Sequence, residues 1–119
     1  MLSRLDDDVS CPVTLMPHAM LASLQGQLSA ELLISLRNNL LESAARLHKA
    51  KAIIDITGVT TLSRQDYLSL VETAQMLRLM GVNLILVGMR PGIIAGLSIL
   101  GLDLTQIAGD CDLERALEQ

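Results

Sequence analysis

The sequence predicts an α/β domain in which a central, mostly parallel β-sheet is flanked by helices, in the order β-β-α-β-α-β-α-β-α. Continuous apolar runs at 52–56 and 84–87 have the composition of strands that are buried on both faces. Around these runs, apolar residues recur every three or four positions, which is typical of helices that pack on a sheet. Alternation of strands and helices favours parallel pairing, because each helix returns the chain to the same end of the sheet.

The first elements are a hairpin and a long amphipathic helix. Residues 13–16 and 19–24 are predicted as short strands around a turn at Pro17 and His18, and the proline confines the first strand to an edge or to its end. A helix is predicted to start after Ser29, whose side chain suits an N-cap. Its apolar face comprises Leu32, Leu33, Leu36, Leu40, Leu41, Ala44 and Leu47.

Two further helices have residues at their ends that commonly start or stop helices. The second is predicted to stop at Gly81, which suits the position after a last helical turn, and its apolar side comprises Tyr67, Leu70, Val71, Ala74, Leu77 and Met80. The third begins at Pro91, whose fixed φ suits the first helical position, and ends at Gly101. Its predicted apolar face comprises Ile93, Ile94, Leu97 and Leu100. Three methionines are interpreted as core side chains: Met76, Met80 and Met89.

The last elements complete a domain of ordinary size. A short strand is predicted at 104–108, and a last helix is predicted to open at Asp110 or Asp112. We expect residues 1–119 to form a single domain, with residues 1–10 flexible, because a chain of this length can bury a core without metals or disulfides.

Charge and aromatic content argue against a nucleic-acid partner. The chain has nine Lys and Arg residues against thirteen acidic residues, for a net charge of −4, and the basic residues are scattered. Nucleic-acid binding needs clustered cations, and single-strand binders usually add aromatic platforms, whereas Tyr67 is the sole aromatic residue. We therefore expect no nucleic acid among the partners.

The sequence favours a cytoplasmic protein that associates with other subunits. No apolar run approaches the roughly 20 residues that a membrane-spanning helix needs. The acidic N-terminus lacks the basic-then-apolar order of a secretory signal. Cys11 and Cys111 are expected to be reduced thiols, with a disulfide between them as the alternative. Half of the residues are apolar, which predicts that another subunit covers part of the surface.

Several enzyme and receiver classes lack the residues that their chemistry requires. Asp55 lies late in a strand, as the phosphorylated aspartate of receiver domains does, but no acidic pair follows the first strand, because Asp6, Asp7 and Asp8 come before it. A lysine near the fifth strand is also absent, because Lys51 is the last lysine. The turn at 88–92 lacks the spacing of a phosphate-binding loop. No serine or cysteine lies in a nucleophile motif, and His18 and His48 have no companions for a metal site. We expect neither enzymatic activity nor a metal or cofactor.

Four hydroxyl residues lie within seven positions, where the strand at 52–56 is predicted to lead into the second helix: Thr57, Thr60, Thr61 and Ser63. One interpretation is that a hydroxyl caps the helix by accepting from a free backbone N–H. The other is that a kinase modifies a hydroxyl and adds about −1.5 to −2 charges at a helix N-terminus, where the dipole tolerates them. A docked partner would then meet a new anion.

Four segments together resemble the STAS family of sulfate transporter and anti-sigma factor antagonist domains, and among these the RsbS and RsbR type of the stressosome. They are D-I-T-G-V at 55–59, L-M-G at 79–81, L-V-G-M-R-P at 86–91 and L-G-L at 100–102. The resemblance implies a STAS fold and a non-enzymatic scaffold. Such a scaffold would pack with related STAS proteins as a homo- or hetero-oligomer. It would hold an RsbT-like serine kinase or an anti-sigma factor, in signal transduction of a stress response.

The resemblance also places the predicted site residues. In the stressosome type, a serine or threonine after an aspartate at the start of the second helix is phosphorylated and releases the kinase. These two places fall on Ser63 and Arg64. Either Ser63 is the acceptor, with Thr60 and Thr61 as further candidates, or this member is a constitutive, non-phosphorylated oligomerisation module. The predicted partner contacts are Thr57, Gly58, Arg64 and Arg90, and for Arg90 an exposed turn residue is the alternative.

Overall fold

The computed structural model describes residues 11–48, 51–110 and 112–118, and its elements follow the predicted order. The strands are β1 (Thr14–Met16), β2 (Ala19–Gln27), β3 (Lys51–Thr61), β4 (Asn83–Val87) and β5 (Ala108–Asp110). The helices are α1 (Ala30–Leu47), α2 (Arg64–Leu79), α3 (Pro91–Ile99) and α4 (Leu113–Glu118). The predicted fold class is confirmed. The expected flexibility of residues 1–10 concerns residues outside the described ones.

The strands form one sheet in the order β1-β2-β3-β4-β5. β1 and β2 form the predicted antiparallel hairpin, with its turn at Pro17 and His18, and β2 to β5 are parallel. Neighbouring parallel strands joined by right-handed crossovers place their connecting helices on one face of the sheet. Accordingly, buried residues of α1, α2 and α3 belong to the same core.

Alternate residues of the central strands enter two separate cores. Ile54 and Leu86 lie in the larger core with α1, α2 and α3, whereas Ile53 and Ile85 lie in a smaller core against Ala116 of α4. This alternation is the ordinary consequence of the two-residue period of a strand. Both faces of β3 and β4 are covered, which explains why their sequences are continuously apolar.

One predicted boundary at the hydroxyl cluster is wrong and one is confirmed. β3 continues five residues beyond the predicted end at 56, because its pairing with β2 extends to the pair of Gln27 and Thr61. α2 begins at Arg64 directly after Ser63, one of the three predicted capping candidates, because Ser63 and Asp66 form a capping box that fixes the first turn. The hydroxyl cluster is therefore mostly strand, with Ser63 alone of the four at a helix cap.

Several other predicted boundaries are confirmed. The Ser29 side chain caps α1 by accepting a hydrogen bond from the N–H of Leu32 at 3.1 Å. Pro91 is the first residue of α3, and Gly81 and Gly101 follow α2 and α3 with φ of 81° and 77°. The last helix opens at Asp112, whose Oδ1 accepts from the N–H of Arg115 at 2.9 Å.

The predicted strand at 104–108 is displaced to 108–110, because the chain turns at Asp103 before it pairs with β4. Asp103 Oδ1 accepts hydrogen bonds from the N–H of Thr105 at 2.9 Å and from its hydroxyl at 2.6 Å. An aspartate that binds the backbone two residues on favours a turn over a strand.

Two predictions of buried apolar side chains are also wrong. Of the predicted α3 face, Leu97 is buried and Ile93 is half-buried, but Ile94 and Leu100 are 41% and 53% exposed. Met76 and Met80 are exposed as well, Met76 because it lies on the side of α2 opposite the buried Ala74 and Leu77. Met89 is half-buried against the larger core.

Cys11 is a buried, free thiol next to β2 and α1. Its N–H donates to Ser35 Oγ at 3.1 Å, its thiol lies 3.8 Å from the carbonyl oxygen of Ser23, and burial raises its pKa. Cys111, the other half of the alternative disulfide, lies outside the described residues. None of the described helices has the length and apolar character needed to cross a membrane.

Candidate functional site

The end of β3 projects beyond its neighbour β4. The pairing of β3 with β4 runs from Lys51 opposite Asn83 to Asp55 opposite Val87, whereas the pairing with β2 continues to Thr61. We call residues 56–61 the β3 overhang. In this segment Ile56 and Val59 are buried, and the other four residues are exposed. The overhang therefore presents threonine hydroxyls at the carboxyl end of the sheet.

Thr57 and Gly88 make the closest approach between the overhang and the turn after β4. Gly88 has a φ of 80°, a conformation that side chains rarely adopt. A β-carbon on Gly88 would overlap Thr57 Oγ1 and lie 3.1 Å from Thr57 Cβ. Thr57 is itself held by its N–H, which donates to Asp55 Oδ1 at 2.9 Å. Glycine is therefore needed at 88 for both the backbone turn and the space.

Arg90 connects the same turn to the overhang through a hydrogen bond. Its Nε donates to the carbonyl oxygen of Thr57 at 3.0 Å, and its side chain is exposed. Arg90 is also the residue before Pro91, in the N-cap position of α3, where it makes no side-chain capping bond. The guanidinium is thus fixed at one nitrogen, and its remaining N–H groups face solvent or a partner.

The start of α2 lies directly after the overhang. Ser63 Oγ accepts from the N–H of Asp66 at 3.0 Å, and Asp66 Oδ2 accepts from the N–H of Ser63 at 3.1 Å. Ser63 and Arg64 are exposed. Within the described residues, no hydrogen bond or ion pair involves the Arg64 guanidinium. The capping interpretation of the hydroxyl cluster is therefore confirmed for Ser63, and its hydroxyl remains accessible.

A groove of about 370 Å³ separates the end of the overhang from α3. We call it the α3 groove. Among the described residues that line it, Arg90 alone is charged, because the other lining side chains are hydroxyl or apolar and two positions are glycine. The lining residues are Thr60, Thr61, Leu62, Arg90, Gly92, Ile93 and Gly96.

The structure brings together some predicted site residues and separates others. Thr57 contacts the Arg90 side chain, and Thr60 and Thr61 line the α3 groove with it. Gly58 lies beside Gln25 of β2, where a β-carbon would be 3.0 Å from the Gln25 Cγ, and it does not line the groove. Ser63 and Arg64 follow the groove-lining Leu62 in the chain.

Sequence reasoning missed the glycines on the α3 side of the groove. Gly92 and Gly96 occur four residues apart, and a β-carbon at either position would meet nothing within 4 Å. Their spacing, on one side of a helix, is visible in the sequence. What the spacing does not reveal is that the β3 overhang lies across from it.

A second cavity, also of about 370 Å³, lies between α3 and β5. Tyr67 lines it, and its hydroxyl donates to the carbonyl oxygen of Asp103 at 3.0 Å. Burial, and then the charge of Asp103, raise the pKa of Tyr67, whereas hydrogen bonds from Thr105 lower the pKa of Asp103. Among the described residues, no group of three or more His, Cys, Asp or Glu side chains could hold a metal.

Comparison with known sequences connects this geometry to one family. The model of the STAS domain matches residues 12–112. The RsbT co-antagonist protein RsbRA of Bacillus subtilis (strain 168) is 27% identical over 106 residues, which cover 89% of this chain and 36% of RsbRA. The chain therefore spans little more than a third of the length of that relative.

Solved structures share the fold at low sequence identity. RsbS of Moorella thermoacetica has a TM-score of 0.76 at 20% identity, covering 91% of this chain and 92% of that one. A chain of the stressosome, a signal integration and transduction hub, has a TM-score of 0.72 at 21% identity, covering 90% and 93%. Unphosphorylated SpoIIAA, an anti-sigma factor antagonist, has a TM-score of 0.67 at 9% identity, covering 92% and 94%. The chain belongs to the STAS domain family.

Proposed function

We propose that this chain is a non-enzymatic STAS antagonist and scaffold of the stressosome type. It assembles with related STAS domains in the cytoplasm and regulates an RsbT-like serine kinase or an anti-sigma factor by binding it. The observation that carries the proposal is the exposed end of the sheet, where Thr60, Thr61 and Arg90 line a groove that Ser63 and Arg64 follow. The family membership and the relation to a protein named RsbT co-antagonist support it.

Phosphorylation of Ser63 provides the switch in this proposal. Its hydroxyl is exposed, and its oxygen already accepts from the first turn of α2, so a phosphate there gains from the helix dipole. The neighbouring Arg64 supplies a countercharge, whereas the Asp66 carboxylate, which binds the N–H of Ser63, repels the phosphate. We expect the hydrogen bond from the N–H of Ser63 to the Asp66 carboxylate to break while α2 remains folded. A partner that contacts this surface is then released.

The test combines phosphate mapping with a matched pair of variants. The chain is incubated with an RsbT-type kinase and ATP, the site is mapped by mass spectrometry, and kinase binding is measured by calorimetry before and after. We expect phosphate on Ser63 and weaker binding after modification. Ser63→Asn is the informative variant, because asparagine is a good N-cap without a phosphorylatable hydroxyl.

Ser63→Asn should bind the kinase normally and remain bound in the presence of ATP. Phosphate found on Thr60 or Thr61 and not on Ser63 would show that the phosphorylated residue lies in the β3 overhang. Absence of kinase or anti-sigma factor binding by the unmodified chain would overturn the antagonist function.

The alternative is a constitutive, non-phosphorylated oligomerisation module. The exposed guanidinium of Arg64 favours it, because this cation has no ion pair with any residue that the structure describes and is available for a permanent salt bridge to a partner. In this case Arg64→Ala weakens assembly in sedimentation, whereas Ser63→Asn leaves it unchanged. Stable kinase binding that ATP does not alter would favour this alternative over the switch.

A further inference from the structure

Among the strands that the structure describes, none is a neighbour of the outer edge of the β3 overhang. β3 pairs with β4 as far as Asp55, and beyond this point the turn after β4 contributes the bond from Arg90 to the Thr57 carbonyl. For residues 58–61 the structure pairs the strand with β2 alone. An unpaired edge is a template for another extended chain, unless it is blocked by proline, charge or a covering element. Residues 58–61 contain no proline or charged side chain, and no element among the described residues is paired with this edge.

The α3 groove provides room for such a chain beside the edge. Thr60 and Thr61 line it from the strand side, and Gly92, Ile93 and Gly96 line it from α3. Added β-carbons at Gly92 and Gly96 would enter open space, so a backbone can approach α3 closely there. Four residues of strand span roughly 13 Å. A segment that pairs with residues 58–61 would therefore occupy roughly this length beside α3.

The charge of Arg90 favours acidic over basic extended segments. Arg90 lines the groove, its Nε is bound to Thr57, and none of the other six lining residues is charged. Within the part of the chain that the structure describes, no carboxylate lines this groove to neutralise the guanidinium. A segment that brings a carboxylate to Arg90 gains a charge-assisted hydrogen bond, whereas a basic segment meets a like charge.

We propose that the α3 groove receives an extended, acidic segment of a partner protein, which adds as a short strand to the edge of β3 at residues 58–61. The proposal rests on the proposed function, and it specifies how the regulated partner is recognised. Backbone hydrogen bonds to the strand edge provide attachment, and the carboxylate at Arg90 provides selectivity, as in other strand-addition complexes. Phosphate on Ser63 would oppose this acidic segment electrostatically.

A peptide titration tests the mode of binding. The probe is a capped eight-residue peptide in which threonine and glutamate alternate, and the control peptide carries lysine in place of glutamate. In two-dimensional ¹⁵N NMR of the full chain, the glutamate peptide should shift the amides of residues 58–61 saturably and slow their hydrogen exchange. It should bind about tenfold more tightly than the lysine peptide at low salt, and this difference should shrink as salt screens the charges.

Filling the groove gives the matched variants. Gly96→Leu places a side chain in the groove, and replacing a glycine inside a helix favours folding, so this variant should be at least as stable as the unmodified chain. Ala95→Leu adds the same side chain at the exposed neighbouring position, which does not line the groove. We expect Gly96→Leu to weaken binding of the glutamate peptide about tenfold or more. Ala95→Leu should change the affinity for this peptide by less than about twofold.

The proposal is overturned if saturable shifts at 58–61 are absent, if the lysine peptide binds equally well, or if both leucine variants weaken binding equally. Shifts at 58–61 that depend on protein concentration without peptide would assign the groove to a second copy of the chain and would also overturn it. Kinase or anti-sigma factor binding that Gly96→Leu leaves unchanged would overturn the inference and leave the proposed function intact. Loss of that binding in Gly96→Leu but not in Ala95→Leu supports both.

Discussion

Arg90 donates from Nε to the carbonyl oxygen of Thr57 at 3.0 Å, and this bond joins two parts of the chain that are 33 residues apart. The backbone pairing of β3 with β4 ends at Asp55 and Val87. Beyond that point, the Arg90 side chain links the two segments. The turn after β4 is thereby held against the overhang. The same arginine supplies the charge of the α3 groove, so the residue that positions the turn also defines the electrostatics of the proposed partner surface.

Gly88 should be the less tolerant of two glycines that share a backbone conformation. Gly88 and Gly81 have φ of 80° and 81°, but a β-carbon at 81 meets nothing within 4 Å, whereas one at 88 overlaps Thr57. Gly81→Ala should lower the free energy of unfolding by about 1–2 kcal/mol through backbone strain alone. Gly88→Ala should cost at least about 1 kcal/mol more, because the overhang must also shift. Urea unfolding measures both, and equal losses would contradict the Thr57 contact.

Arg37 should stabilise the pairing of α1 and α2 mainly through hydrogen bonds rather than through its ion pair. Its Nε donates to Thr73 Oγ1 at 3.0 Å and its Nη2 donates to the carbonyl oxygen of Ser69 at 3.1 Å. Its ion pair with Glu72 spans 3.3 Å, but the Glu72 side chain is 61% exposed. Arg37→Ala should lower the free energy of unfolding by about 2–3 kcal/mol, and Glu72→Gln by less than about 1 kcal/mol. A larger effect of Glu72→Gln in urea titrations would reverse this assignment.

The sequence predicted the order of elements because each depends on local pattern. Continuous apolar runs identified β3 and β4, and Ser29, Pro91 and Gly101 identified helix ends, since capping and turn chemistry act within a few residues. The overhang was missed for the opposite reason. Its β-branched residues favour a strand, but Gly58 interrupts them. How far the strand continues past Gly58 depends on pairing with Gly26 and Gln27 of β2, which are distant in the sequence.

The candidate site likewise combines residues that the local sequence identifies with residues that only the assembled fold brings together. Ser63 and Arg64 could be named from the sequence because their positions follow from family motifs. The α3 groove could not, because Thr60 and Gly96 are 36 positions apart and meet only when β3, β4 and α3 are assembled. The burial of the α3 face was overestimated for a related reason. Its helix is apolar nearly all round, so the sequence does not indicate which side faces the core.

Ser63 should contribute to stability through its cap, separately from any switch function. Ser63→Ala removes the acceptor for the N–H of Asp66 and should lower the free energy of unfolding by about 1 kcal/mol. Ser63→Asn, which retains an oxygen at the cap, should lie within about 0.5 kcal/mol of the unmodified chain. Thermal and urea unfolding provide the measurement. If alanine and asparagine destabilise equally, the capping box does not contribute in solution.

Tyr67 should make the protein less stable at alkaline pH. Burial and the Asp103 charge raise its pKa above the ordinary value of 10.0, so the folded state holds the phenol proton more tightly than the unfolded chain. The contribution is fully present below pH 10 and is lost as pH rises from there through the folded pKa, because the unfolded state ionises first. Tyr67 is the sole tyrosine, so the tyrosinate absorbance band reports it alone in native and urea-unfolded samples. Tyr67→Phe, which loses the hydrogen bond to Asp103, should start less stable but should lack this component of the alkaline decline. Native titration at or below the pH seen for the unfolded chain would show that the phenol is not held in the buried, hydrogen-bonded position.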